Sequence, residues 1–325
     1  MSNLERSPQE TACGGRVGVA VEPVRELMDG RPVALGGPRA MSVTRTLPNR
    51  ARRMVGAWCF VDYYGPADIS RSPGMQVAPH PHTGLQTVSW LVAGEVLHRD
   101  SVGSRQLVTP GQLNLMTAGH GISHSEESPA DHSPILHGVQ LWTALPDADR
   151  HVRPHFEHHP DLPLLTDTGV TVTVIMGELG DATSPADVYS PLVGAEAVLA
   201  SGADVRLSLQ PGWEYATLAL AGSVDVDGVT LAAGPLLYLG SGRSDLSLRA
   251  ADTTARLLLI GGEPFDERIV MWWNFVGRDH DDIATAREQW MRADPRFGTV
   301  HGYPGNRLPA PTLPTVRLKP RGRHR

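Results

Sequence analysis

With 325 residues the chain has room for two domains of ordinary size, and 41% apolar with 20% charged residues is the composition of a folded, soluble protein. A net charge of −6 argues against direct nucleic-acid binding over the surface as a whole. Two cysteines provide neither a disulfide framework nor a CxxC metal site, which fits a reducing, cytoplasmic setting, and no apolar run is long enough to expect a membrane span.

Residues 1–15 are small and polar, lack the apolar core of a secretory signal, and read as a frayed end. From about Val17 to Leu145 the chain reads as short strands punctuated by Gly and Pro. RAMSVTRTLP, MVGAWCFVDYY, LQTVSWLVAGEVLHRDS, LNLMTAG and ILHGVQLWTAL carry the β-branched and aromatic residues that strands favour. RHVRPHFEHHPDLP is polar and Pro-containing and reads as a solvated linker, which divides the chain into residues 1–150, a linker at 151–163, and residues 164–325. Strands resume in GVTVTVIMGEL, DVRLSLQ, YATLALAGSVDVDGVTL, PLLYLG and ARLLLIGG. LVTPGQLNLMTAG and LAAGPLLYLGSG share a rhythm, as do VSWLVAGEVLHRD and LALAGSVDVDGV, so the two halves read as copies of one antiparallel barrel. One helix is expected near the C-terminus. Asp281 and Asp282 offer capping carboxylates, Ile283, Ala286, Trp290 and Met291 share a face, and Asp294 and Pro295 end it. The Pro-rich tail from Gly302 reads as an extended arm or disorder.

Of 14 histidines, 11 lie between His80 and His159, so the residue type that binds metals and moves protons is concentrated in the first half. In APHPHTG, His80 and His82 are two apart; in GISHSEES, His124 and Glu126 repeat the pattern. Residues i and i+2 of a strand point to one face, so both pairs can converge on a cation at metal–nitrogen distances of about 2.1 Å. Three imidazoles and a carboxylate suit a divalent transition metal, leave Fe, Ni, Mn, Cu and Zn open, and leave coordination positions for small molecules.

GMQVAPHPHTGLQT and TPGQLNLMTAGHGISHSEE resemble the paired motifs of cupins. The longer stretches HPHTGLQTVSWLVAGEVLHRDSVG and PFDERIVMWWNFVGR are similar to the pirin family, over about Val17 to Pro314. This resemblance implies an all-β fold of two cupin (jelly-roll β-barrel) domains packed face to face, a short C-terminal helix, and metal in the first barrel only. It carries the family's ligands onto His80, His82, His124 and Glu126. It also implies one bound divalent transition metal ion, with Fe(II) the leading expectation. The first cupin motif usually ends in Glu; here that position is Gln86. His120 occupies a position where many relatives carry Arg or another residue; it reads as a plain loop residue, with a hydrogen-bond donor behind the ligands or a substrate contact as the alternatives.

Two roles follow from the resemblance. One is ring-opening of quercetin-type flavonols with O2, with release of carbon monoxide, Glu126 serving as the base that takes the hydroxyl proton. The other is a metal- and redox-dependent regulator that binds a transcription factor or metabolic enzyme.

Other polar and aromatic groups have blander readings. His98 and Asp100 share a strand face and read as a polar pair in a hairpin. His151, His155, His158 and His159 are irregularly spaced and read as solvated linker. Trp272, Trp273 and Phe275 read as core, Glu127 as exposed, and Arg321, Arg323 and Arg325 as a solvated basic end.

Overall fold

The structure, a computed structural model, describes residues 11–13 (backbone only), 24–35 and 41–321. Among them, short antiparallel strands build two barrels. In the first, a seven-stranded sheet runs in the order His155–His159, Leu113–Thr117, Leu85–Ala93, Ile135–Ala144, Trp58–Asp68, Met41–Leu47, Arg31–Leu35. It is closed by a four-stranded sheet ordered Gln76–His82, Ile122–Glu127, Val96–Asp100, Arg105–Val108. The second barrel repeats the plan, with Leu192–Leu199, Ala255–Gly262 and Glu214–Ala221 central in its large sheet.

The two large sheets pack on each other. A strand covered on both faces should be apolar throughout, and Trp58–Tyr64 is buried at every position. One contiguous core joins Phe60, Leu141 and Trp142 to Met176, Leu218 and Ile260 of the second barrel. Trp58 Nε1 donates to the carbonyls of Val193 (3.0 Å) and Gly261 (3.1 Å), and the Tyr63 hydroxyl donates to Leu220 O. Gly194 makes the approach possible: a Cβ there would lie 2.9 Å from Trp58 Cζ2. Within the first barrel Arg45 and Asp62 form a buried two-pronged ion pair at 2.7 Å.

The connections differ from the expectation in places. The stretch read as a linker contains the strand His155–His159, paired along its whole length with Leu113–Thr117. Phe156 explains this, because its ring stacks on His98 at 4.4 Å and gives the segment an apolar anchor. Glu26–Met28, early in the chain, completes the edge of the second barrel's sheet beside Leu236–Gly240. Thr11–Cys13 pairs with Ile269–Trp272; the rest of the start expected to fray lies outside the described residues, as do Arg323 and Arg325.

The helix spans His280–Met291 and is capped by Asp279, which accepts from the amides of Asp281 and Asp282. The cap therefore lies two residues before Asp281. Ile283, Ala286 and Trp290 are buried, but Met291 is 42% exposed and off the packed face. Trp272, Trp273 and Phe275 form a core with this helix and with Leu318 of the tail. That tail is an extended arm held at defined points: Trp290 Nε1 donates to Leu308 O, and the Leu308 amide donates to Pro79 O beside the histidine pair.

Candidate metal centre

Gln76–His82 and Ile122–Glu127 are antiparallel neighbours in the four-stranded sheet, with His124 opposite His80. The two i, i+2 pairs therefore converge from adjoining strands of one sheet. A register shift between His124 and Glu126 puts Glu126 opposite Val77, so three residues of this strand span four of Gln76–His82. On the far side of the same strand, Asp100 lies opposite His124 and His98 opposite Glu126.

The ring centroids of His80 and His124 are 4.3 Å apart, and those of His82 and His124 are 5.0 Å apart. His82 Nε2 and His124 Nε2 approach to 3.1 Å. Two nitrogens bound at right angles to one cation at about 2.1 Å would be about 3.0 Å apart, close to this separation. The hydrogen bonds assign the tautomers. His80 Nδ1–H donates to Ala78 O at 2.9 Å, so Nε2 carries the lone pair, and that atom is buried without a hydrogen-bond partner. His98 Nε2–H donates to Asp100 Oδ2 at 3.2 Å, which leaves its Nδ1 to accept from His124 Nδ1–H at 3.4 Å. His124 Nε2 is thereby free to face His82. An orphaned buried lone pair and two opposed ring nitrogens fit a cation.

All three imidazoles are 0% exposed and Glu126 is 2% exposed. Burial pushes the histidines well below their usual range, and for His82 and His124 neighbouring imidazoles add to it. They are neutral at physiological pH, the form that ligates metal. The same shifts set a pH dependence. The unfolded chain takes up protons on these side chains below about pH 6.5 while the native chain resists, so protons bind the unfolded state preferentially. Metal-free protein is therefore expected to lose stability as pH falls from about 6.5, by up to about 1.4 kcal/mol per pH unit for each histidine. Urea midpoints of chelated protein across this range check it. An acid limb no steeper in the native sequence than in His82→Ala would refute the assignment.

Glu126 groups less tightly with the first histidine pair than expected. The donor atoms of His80, His82 and His124 lie within 4.8 Å of one another, and a second triad, His98, His124 and Glu126, shares His124 with the first. Ser89 Oγ donates to Glu126 Oε1 at 3.3 Å. Tyr64 is near enough that burial first, then the charges of Glu126 and Asp62, raise its hydroxyl well above the ordinary value. His98 is the residue that alternation alone undervalued: it shares a face with Asp100 in LHRDS, but only strand pairing brings it to His124.

Gln86 is part of a buried polar ring. Its amide donates to Thr117 Oγ1 (3.0 Å) and to Asp187 O (3.0 Å), and Thr143 donates back to it. These bonds reach none of the four candidate ligands. His120 is a loop residue tied to Val152 O. Glu127 is not the exposed residue expected, because Arg99 pairs with it. The four candidate ligands present no solvent-exposed face. A cavity of about 260 Å³ beside Thr83 and Gly84 is lined by Arg150, Arg296, Asp279 and Asp282, a charged lining unlike the mostly apolar walls of small-molecule sites.

The comparisons agree with this architecture. Residues 40–143 match the family model described as Pirin, and residues 194–298 match the Pirin C-terminal cupin domain. A Pseudomonas aeruginosa protein provisionally named a quercetin 2,3-dioxygenase is 46% identical over 293 residues, covering 90% of this chain and 92% of that protein. A Pirin-like protein of Caulobacter vibrioides is 37% identical, covering 81% of this chain and 92% of its own length. The crystal structure of quercetin 2,3-dioxygenase from Acinetobacter baumannii superposes with a TM-score of 0.86 at 44% identity, covering 91% of this chain and 98% of that one. Two matched barrels, a histidine cluster confined to the first, and relatives similar along nearly their whole length lead to one conclusion: the chain belongs to the pirin family.

Proposed function

We propose that His80, His82, His124 and Glu126 hold one divalent transition-metal ion, Fe(II) being the first candidate, and that the centre opens the ring of quercetin-type flavonols with O2. The observation that carries the reading is the convergence of three neutral, buried imidazoles, two of them with ring nitrogens 3.1 Å apart. Similarity at 46% and 44% identity to proteins named as quercetin 2,3-dioxygenases supports the substrate class. When bound, the cation supplies Lewis acidity toward a phenolate and electron exchange with dioxygen. Glu126, with Ser89 donating to its Oε1, is the base for the substrate hydroxyl. Asp100 and His98 fix the His124 tautomer so that Nε2 points to the cation. Cys59, a buried free thiol pushed up to about 12 by its burial, is chemically inert and suits the reducing cytoplasm.

The test is turnover of quercetin under air by full-length protein loaded with Fe, Ni or Mn, with metal content measured in the same sample. A rate no higher than that of free metal, at confirmed occupancy, overturns the reading. The burial of the ligands favours a second reading, a regulator whose surface responds to the charge of the cation. A protein partner captured by the loaded chain and released by chelator would support that role.

His98→Leu is expected to weaken metal affinity by about 10- to 100-fold, the usual cost of removing a hydrogen-bond partner behind a ligand. Equilibrium dialysis checks it, and His98→Gln, which can still accept from His124, should recover part of the loss.

A further inference from the structure

The strand that replaces the expected linker alternates His155, Glu157 and His159 on one face, with Phe156 and His158 on the other. The face with His155 and Glu157 meets Asp187, from a loop of the second barrel. Here three donor atoms come together: His155 Nε2, Glu157 Oε1 and Asp187 Oδ2 lie within 4.8 Å of one another. The hydrogen bonds around them leave two of these atoms, on His155 and Glu157, facing inward. His155 Nδ1–H donates to Arg153 O at 3.1 Å, so Nε2 carries the lone pair. The other oxygen of Glu157, Oε2, accepts from His159 Nε2 at 3.0 Å and from the Asp187 amide at 3.2 Å. His155 Nε2 and Glu157 Oε1 are both buried atoms with no hydrogen-bond partner among the described residues.

Three acceptors thus surround a point with no donor between them. Each carboxylate oxygen is 3.5 Å from His155 Nε2, too long for a good hydrogen bond. Ligands arranged tetrahedrally around a cation at about 2.1 Å are about 3.4 Å apart, which matches. Two carboxylates and a neutral imidazole also balance a divalent charge. Their charge is felt nearby: burial first, then Asp187 and Glu157, raises the Tyr189 hydroxyl. Asp187 is two-thirds exposed, so the fourth position is open to water.

We infer that His155, Glu157 and Asp187 form a second divalent-cation site, of the zinc-binding kind, that staples the loop of the second barrel to the first. The site is separate from the cupin centre and does not depend on its function. Its second consequence is structural. The Asp187 carbonyl accepts from Gln86, so a cation that fixes this loop also fixes the polar ring around Gln86.

The test uses full-length protein, stripped with chelator, loaded with Ni(II), desalted, and equilibrated with Zn(II). Elemental analysis should find one more metal per chain in the native sequence than in Asp187→Asn or His155→Ala. Asp187 is exposed enough that its replacement should leave folding intact, and zinc should raise the melting temperature of the native protein but not of Asp187→Asn. Equal metal content in all three proteins would overturn the site, leaving either an adventitious ion only or an imidazolium paired with two carboxylates. A loss of zinc with Asp187→Asn in protein whose cupin centre holds no nickel would support this site while refuting the reading of the first.

Discussion

His82→Ala is expected to empty the cupin centre and reduce flavonol turnover to the free-metal background. His82 supplies one of two ring nitrogens that stand 3.1 Å apart, and its strand neighbour Pro81 stiffens the approach. Losing a group behind a ligand costs metal affinity about 10- to 100-fold, and loss of the ligand itself should exceed the upper figure. Its ring also packs edge-on against Trp142 at 5.1 Å, so a small part of any stability change is a cavity effect. His82→Gln separates the two, because it retains most of the volume and lacks the imidazole. Both variants should fold, with metal content near zero by elemental analysis. One full equivalent of tightly held metal in either variant would show that the cation is held elsewhere.

Trp58→Ala is expected to be the most damaging change outside the metal centre. Trp58 is fully buried, its Nε1–H is shared between two carbonyls of the second barrel, and its ring fills the space left by Gly194. Removing such a ring costs about 3–5 kcal/mol through lost burial and an imperfectly collapsed cavity. Two buried carbonyls also lose their donor, which adds to the loss at about 1–3 kcal/mol for an unsatisfied group. Trp58→Phe isolates that second part, since it retains much of the apolar area and none of the hydrogen bonding. Because one core runs through both barrels, native protein should unfold in a single urea transition. Trp58→Ala should lower the midpoint sharply and split the transition. A loss below about 1 kcal/mol with one unbroken transition would mean that the seam does not carry the coupling assigned to it.

Much of this was legible in the amino-acid sequence because it depends on local alternation. A strand sends residues i and i+2 to one side, so His80 with His82, and His124 with Glu126, announce themselves without any knowledge of pairing. The same rule, together with long family motifs, reveals the two-barrel fold, and MVGAWCFVDYY reads as one of its strands, although only the structure shows Trp58–Tyr64 covered on both faces. Short-range chemistry also locates the helix to within a residue or two, although the cap is Asp279 and Met291 turns outward.

Only the tertiary structure decided the rest, because those features depend on which strands pair and in which register. His98 meets His124 because Val96–Asp100 pairs with Ile122–Glu127, and no local pattern states that neighbour. His155–His159 looks like a polar linker until Phe156 finds His98 to stack on, and burying that ring turns the segment into a strand. Its other face then meets Asp187, about thirty residues on in the opposite barrel. Periodicity thus told which side chains share a face; the non-local pairing of strands, which must offset the entropy of closing long loops, told which faces meet.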